Sequence, residues 1–476
     1  MTNEIRGTEG IEPDQKEATR GVSLLIGDPK EAILKLSGPM IVAMVILAAY
    51  NLVNAVWVAG LGSDALAAVG FVSPIFMAVV GLSNGLGAGV SSYISRRIGA
   101  RDKRGADNAT MHAMLLTIFV SVALTFLLLC FSEPLLVAMG AGEALDLAVE
   151  YGRIVFAGSI LVVFTNMAYA ILRGEGDTTR TMYAMGGGSL INAVLDPILI
   201  YWAGWGISGA AWGMIISLLL VSAVQIYWLC IKKDTYVSIS WRAFALSRDV
   251  MRDILGVGIP ASVEFLLYSI DAIIINGMLV RVSGTDAVAV YTAGWRVGMM
   301  ALIPLVAIAT AEISVAGAAF GARRYGNLSI IHNFSTKLGF VVGLFMAVIT
   351  GLFAPQITAF FTYTSESAHL APTMIAFLQF MCLFYPFVSP GIMSASLFQG
   401  AGKGLTSLVL NALRDVVLIT MMSFVLGITL GFGERGIWLG IVFGNIVGSL
   451  LGYLWARLYI SRVKTMEGSW RHSAVS

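Results

Sequence analysis

Asp196 stands in SLINAVLDPILIY, a run otherwise suited to the interior of a membrane, with Asn192 one helical turn earlier on the same face. A charge at the bilayer centre costs roughly 3 kcal/mol or more, so such a residue needs a role or a partner. Pro197 follows directly and has no N–H to donate, which leaves the carbonyl of Ala193 without its usual helical partner. Carboxylate, amide and freed carbonyl together make an oxygen-rich spot for a proton, Na⁺ or a cationic substrate. The structural alternative is an aspartate paired to a neighbouring helix, for instance with Arg153.

Other polar residues fall in similarly apolar surroundings. Tyr50, Asn51, Asn54 and Trp57 form a polar and aromatic stripe with i, i+4, i+7 spacing on the first apolar segment. Amides and aromatics can serve as helix-packing glue, but on the opening helix of a bundle the stripe also suits a cavity wall. Farther on, Glu264, Tyr268 and Asp271 share one helix face, Glu312 lies deep in the eighth apolar segment, and Arg414 with Asp415 lies in the eleventh. Asn411 and Asp415 repeat the spacing of Asn192 and Asp196, although aligning the two pairs needs a gap. For Glu312 and Asp415, ion pairing within the fold competes with a functional role. Glu264 and Asp271 are candidates for binding a proton or cation, and Arg296 is a cation that could neutralise one of them.

No enzyme chemistry is legible. Walker, HExxH and CxxC patterns are missing, and Cys130, Cys230 and Cys382 lack metal-ligand spacing. The Gly-rich run RGEGDTTR at 173–180 joins two apolar segments without the strand a nucleotide loop requires, so it reads as a tight turn.

The elements that position these residues are membrane helices. Of the 476 residues 57% are hydrophobic and only 12% charged, about half the charge of a soluble protein, and the mean hydropathy is +0.83. At roughly 20 apolar residues per crossing, spans fall near 34–60, 66–95, 110–131, 147–172, 181–203 and 207–231, then near 254–281, 288–320, 333–355, 370–398, 404–430 and 436–460. Pro74, Pro197, Pro304 and Pro386 should bend the spans that hold them. Residues 1–21 lack the apolar stretch of a cleavable signal, and 21–40 reads as an amphipathic segment along the membrane surface leading into the first span.

Connections alternate in charge. Arg96, Arg97, Arg101, Lys103 and Arg104 crowd one, and Lys232, Lys233, Arg242, Arg248 and Arg252 another. Arg323, Arg324, Lys403 and the basic run 457–464 follow on the same side. The opposite connections carry Glu133, Glu143, Asp146 and Glu366. Positive residues favour the cytoplasm, so both termini should be cytoplasmic and the number of spans even, in a multi-pass protein of the plasma membrane.

The two sets of spans are also copies of each other. GSDALAAVGF at 62–71 returns as GTDAVAVY at 284–291, and IGAR at 98–101 returns as FGAR at 320–323. Asp64 and Asp286, like Gly99 and Gly321, are 222 positions apart, and Pro39 and Pro260 are one residue off that register. Duplicated bundles meeting at a midplane cavity are a usual transporter architecture. The division is an N-terminal segment 1–33, an N-lobe 34–231, a cytoplasmic linker 232–253, a C-lobe 254–460 and a cytoplasmic tail 461–476.

YNLVNAVWVAGLGSDALAAVGF (50–71), the two GAR turns, RGEGDT (173–178), INAVLDPILI (191–200) and GISGAAWG (206–213) together resemble the multidrug and toxic compound extrusion (MATE) family, in family order over about 30–460. The likeness is greatest to the DinF-like branch. It implies an all-α fold of twelve transmembrane helices in a V-shaped pair of six-helix bundles. It also implies alternating access, with efflux of organic cations or amphiphiles in exchange for H⁺ or Na⁺ and no further cofactor. Carried over, the N-lobe cation site uses Asp196 and Asn192, faced by Asn54 and Tyr151, beside a cavity with Tyr50, Asn51, Trp57 and Met214. Two positions depart from the branch, which usually has aspartate at Asn54 and threonine at Met214. Fewer hard oxygen ligands weaken Na⁺ coordination, which draws attention to the C-lobe acids Glu264, Asp271, Glu312 and Asp415 with Tyr268. Expected partners are small cationic or amphiphilic substrates and membrane lipids, with no nucleic acid, for a monomer. A flippase for a lipid-linked or amphipathic metabolite is the alternative within the fold superfamily, and a non-transporting membrane scaffold is a third reading that the intramembrane acids oppose.

Overall fold

The computed structural model describes residues 19–232, 234–239, 244–363 and 367–473, with side chains to 465. Residues 1–18 and the loop charges Lys233, Arg242 and Glu366 lie outside the described residues. The described chain is all helical.

Local chemistry sets where the helices begin. Asp28 accepts from the N–H groups of Lys30 at 2.8 Å and Glu31 at 3.1 Å, and Pro29 takes the first helical position, so α1 (Arg20–Ile26) is separated from α2 (Pro29–Ala59). Asp102 caps α4 (Lys103–Ala138) after α3 (Ser63–Gly99). Asp177 caps α7 (Thr178–Pro197) after the bent pair α5 (Leu145–Ala157) and α6 (Ser159–Gly174). The RGEGDTTR run is therefore a tight turn, with Gly176 at φ 81°. After α8 (Gly206–Ile226), α9 runs through Arg248–Gly321, with its helical backbone interrupted at Gly284.

The rest is α10 (Tyr325–Leu352), α11 (Ala354–Phe361), α12 (Ala371–Cys382), α13 (Ser389–Gly400), α14 (Gly404–Asn411), α15 (Ile419–Phe424) and α16 (Gly433–Ser473). Wider π-type turns at 198–202 and 227–232 prolong α7 and α8, and others at 412–418 and 425–429 join and extend α14 and α15. With α9 counted as two crossings, α5–α6 and α12–α13 as one broken crossing each, and α14–α15 as one, the described residues cross the membrane twelve times.

The duplication is written in the backbone as well as the sequence. Gly62 and Gly284 adopt φ 106° and 77°, and Arg101 and Arg323 adopt φ 57° and 56°. Among the described residues these two arginines are the only non-glycines with positive φ, a rare conformation for L-residues.

The apolar cores show how the halves meet. At the arginine-bearing end a single core joins both lobes, with Val90, Ile94 and Ile98 of α3 packed with Ile308, Val315 and Ala318 of α9 and Phe398 of α13. Toward the other end the cores separate, one around Val72, Leu136 and Phe156 of the N-lobe, the other around Phe377, Tyr385 and Trp438 of the C-lobe. The bundle is thus closed at its arginine end and divided at the other. Two glycines permit that closure. A Cβ on Gly99 would sit 1.9 Å from the Ala318 carbonyl oxygen, and one on Gly321 would sit 1.8 Å from that of Arg96. These contacts exchange under the 222-residue repeat, so the lobes are sealed by a pseudo-twofold contact at their GAR turns. Ser91 and Ser314 (Oγ···Oγ 3.1 Å) bridge the lobes just inside it.

Several details differ from expectation. The first span begins at Pro29 rather than 34, because the Asp28 cap and Pro29 start the helix early. α1 is docked onto the shared core by the buried Val22 and Leu25. Pro386 does not bend a continuous helix, since it falls in the turn 383–388 between α12 and α13. Residues 234–239 and 244–247 are fastened to the N-lobe: Val237 N–H donates to Glu175 (3.0 Å), Ser238 N–H to Asp107 (2.7 Å) and Ser247 N–H to His112 Nε2 (3.0 Å), while Arg180 reaches Asp234 at 2.6 Å.

Candidate cation site and cavity residues

α2 and α7 lie side by side in the N-lobe and carry the candidate site. Asp196 is fully buried, and its Oδ2 accepts from Asn54 Nδ2 at 2.7 Å. One turn nearer the arginine end, Asn192 Nδ2 donates to the Tyr50 hydroxyl. Tyr201, beyond the π-type turn that follows Pro197, donates to the Trp57 carbonyl at 2.5 Å, and its ring meets Trp57 edge-on at 6.2 Å. The stripe on α2 therefore engages α7 along its length.

Asp196 Oδ1 and Asn192 Oδ1 are both buried without a hydrogen-bond partner. Both are aimed at Gly213 of α8, where a Cβ would lie 2.6 Å from Asp196 Oδ1 and 3.2 Å from Asn192 Oδ1. No cation lies within ion-pair distance of Asp196 among the described residues. Arg153 is exposed and pairs with Glu133 at 3.4 Å, so the structural pairing considered for Asp196 is not formed. Tyr151 lies near this aspartate and packs with Trp57, Val58 and Ile200. Met214 follows Gly213 and packs into the N-lobe core. Asn51 is exposed and takes no part in the hydrogen bonds.

In the C-lobe, Glu264 accepts from Ser407 Oγ at 2.8 Å and from Gln399 Nε2 at 3.1 Å. Asp271, seven residues on, is buried, and its Oδ1 has no partner. Tyr268 lies on the same helix, 44% exposed overall, with its hydroxyl near Arg414. Asp415 is held by Arg414 through two bonds of 2.7 and 3.0 Å, and both are buried. Glu312, fully buried, meets His332 Nδ1 at 3.3 Å. Arg296 is exposed and forms no ion pair with Glu264 or Asp271. Arg414 thus neutralises Asp415, and Glu312 meets the His332 ring through one oxygen while the other has no partner, whereas Asp196, Glu264 and Asp271 form no ion pair among the described residues.

Sequence reasoning missed Gly213, whose only signal is its place in GISGAAWG, and the C-lobe partners Gln399 and Ser407. It also missed His332, a histidine in an apolar span, which was visible.

Comparison with known proteins supplies the family. The MatE family model matches residues 39–198 and 260–430, one match per lobe. A protein of Shewanella oneidensis named "FAD transporter" is 26% identical over 445 residues, 91% of this chain and 95% of its own. The "Multidrug export protein MepA" of Staphylococcus aureus strain MRSA252 is 24% identical over 405 residues, 82% of this chain and 86% of its own. A solved structure described as the outward-facing conformation of a multidrug resistance MATE family transporter of the MOP superfamily superposes with a TM-score of 0.92 at 42% identity, covering 94% of this chain and all of its own. With two matching lobes, twelve crossings and buried acids in both bundles, the chain belongs to the MatE family of membrane transporters and is not an enzyme.

Proposed function

We propose that the protein is a secondary active exporter that exchanges organic cations or amphiphiles for H⁺, or Na⁺, by alternating access. The observation that carries this reading is the buried Asp196, hydrogen-bonded by Asn54 from another helix, without a cation, and with one oxygen unpartnered. A buried acid in that setting gains by taking up a proton or a cation. Asp196 with Asn192, Asn54, Tyr50 and Tyr151 forms the N-lobe coupling site. Trp57, Asn51 and Met214 border the substrate path, and Glu264 and Asp271 are the reserve acids of the C-lobe.

The arginine-rich end faces the cytoplasm of a plasma-membrane protein, so the closed end is the cytoplasmic one. Multidrug export names among its relatives support cationic or amphiphilic cargo. The relative named for FAD supports a second reading, export of an anionic amphipathic metabolite.

The test is transport into proteoliposomes with a pH gradient and a Na⁺ gradient imposed separately, using a lipophilic cation and a flavin nucleotide as cargo. Asp196→Asn should fold and insert normally while losing gradient-driven transport. Full coupled transport by a well-expressed Asp196→Asn protein removes the N-lobe assignment. Flavin movement without cation movement selects the second reading.

A further inference from the structure

The two GAR turns make two related clefts at the sealed end of the lobes, and only one is covered. The cleft beside Gly99 and Arg101 is walled by Val315, Ala318, Ala319 and Ala322 of α9. It is capped by Leu25, Ile26 and Gly27 from α1 and the turn after it, and Arg324 Nη1 is committed to the Ile26 carbonyl at 3.1 Å. The cleft beside Gly321 and Arg323 is an open cavity of about 240 Å³.

Its α3 wall is Tyr93, Arg96, Arg97 and Ala100, and each of these is the 222-residue mate of Val315, Ala318, Ala319 and Ala322 in turn. The repeat has therefore diverged in one direction. Where α1 covers the cleft the wall is small and apolar, and where the cleft stays open the same positions carry an aromatic ring and two guanidinium groups. Apolar burial explains the first set. Tyr93 and most of Arg96 are buried as well, but burial does not explain why guanidinium groups stand where the covered wall has small apolar residues, since burying a charge costs more than burying a methyl group.

The arginines are arranged but not saturated. Both stand over the Tyr93 ring, at 5.4 Å for Arg96 and 4.9 Å for Arg97, and a face position of this kind holds a guanidinium in place. Arg97 donates to the Tyr93 hydroxyl at 2.5 Å and to Asp102 at 3.1 Å. Arg96 donates Nε to the Ser92 carbonyl at 3.2 Å, while its Nη2 is buried beside Gly402 with no partner. The acid on the cleft wall is Asp253, half exposed, which forms a long ion pair with Arg96 Nη1 at 3.8 Å and no hydrogen bond. Arg323 faces them from the C-lobe, and Tyr325 completes the rim. Fixed guanidinium groups with unused donors match tetrahedral phosphate oxygens better than ammonium groups would.

We propose that this cleft binds a phosphate group, and that by touching α3 of one lobe and the α9–α10 turn of the other it favours the state in which the arginine end is closed. The phosphate can belong to an anionic lipid headgroup at the membrane surface or to a small soluble phosphate ester, since the chemistry recognised is the same.

The test uses the full-length protein in nanodiscs of zwitterionic lipid. Glycerol 3-phosphate is titrated in one arm, and phosphatidic acid replaces part of the lipid in the other. Thermal stability and hydrogen exchange of residues 93–100 and 318–325 are read in both arms. The expected result is saturable stabilisation with slower exchange at both segments. Arg96→Gln and Arg97→Gln should each weaken the apparent affinity about tenfold, while Arg101→Gln, in the covered cleft, should leave it unchanged. Elution as a single species and an unshifted ligand-free melt show that each variant is folded.

A response to glycerol 3-phosphate supports a soluble ligand, and a response to phosphatidic acid alone supports the headgroup. No saturable effect in either arm overturns the proposal. So does an effect that survives unchanged in both Arg96→Gln and Arg97→Gln, or one lost equally in Arg101→Gln. Stabilisation without slower exchange at the two segments removes the bridging role.

Discussion

Asn54 lies one hydrogen bond, 2.7 Å, from Asp196, and the two are separated by 142 residues of chain. Tyr50 and Asn192, one turn nearer the arginine end, are separated by the same 142 residues and are also hydrogen-bonded. Equal separations along two helices mean that α2 and α7 run parallel in fixed register. Tyr50 and Asn54 of the polar stripe thus line the Asp196 site and cannot be moved without shifting the whole helix pair.

Gly213 forms the third wall of that site. Gly213→Ala places a Cβ 2.6 Å from Asp196 Oδ1, too close for the short, buried aspartate side chain to tolerate without turning. Coupled transport should fall at least about tenfold, with the overpacking costing about 1–3 kcal/mol of stability. Transport assays beside thermal melts check this. Wild-type transport rates in Gly213→Ala would remove α8 from the site.

Much of this arrangement was legible in the sequence. The repeat gave the two lobes, and the polar spacing on the first span and at Asn192 and Asp196 gave the faces that meet. Partner choice was less legible, because it depends on helix rotation and depth. Arg153 has the right charge for Asp196 but sits at an exposed end and pairs with Glu133. Asp415 echoes Asp196 in spacing, yet its neighbour Arg414 neutralises it from within the same helical stretch. Glu312 finds His332 only because α10 packs on α9 at that depth. Gly213 carries no side chain, so nothing in the sequence marks it as a wall until its neighbours are placed.

The seal between the lobes leaves no room for a side chain. In Gly321→Ala the new Cβ would meet the Arg96 carbonyl oxygen at 1.8 Å, a backbone atom that cannot swing aside. The arginine ends must part, and the closed population should drop at least about tenfold. Distances between labels on the ends of α3 and α9 would lengthen, and Gly99→Ala, meeting the Ala318 carbonyl oxygen at 1.9 Å, should do the same. Unchanged distances in both variants would show that the seal is not what holds the lobes together.

Glu175 ties the segment between the lobes to the N-lobe, and burial pushes its carboxyl up to about 8, against the Val237 N–H bond that favours the charged form. A folded-state value above the unfolded one means that its contribution is fully present below about 4.5 and is lost as pH rises toward 8. Each unit of difference corresponds to about 1.4 kcal/mol. Glu175→Gln keeps an acceptor for Val237 but cannot ionise, so it should melt higher than wild type at pH 8 and at the same temperature near pH 4. A constant difference between the two proteins across that range would rule out ionisation of Glu175 as the cause.

Asn54→Asp tests whether the first span shares the coupling site. At the separation seen for Asn54 and Asp196, two carboxylates cannot both ionise without strong repulsion, so the pair should hold one proton over a wide pH range and titrate as a unit. The shared proton is released only at higher pH than from a lone carboxylate, which moves the pH optimum of transport upward. With Na⁺ present, the second carboxylate adds a hard oxygen ligand and should make transport depend on Na⁺. If Asn54 serves only to pack α2 on α7, the new aspartate is an uncompensated buried charge, and expression should collapse without any change in pH profile among the molecules that fold. A stable Asn54→Asp protein with wild-type pH and Na⁺ profiles would exclude a shared site. Coupling would then rest on the C-lobe acids, where Glu264→Gln and Asp271→Asn should each abolish gradient-driven transport if that acid carries the coupling.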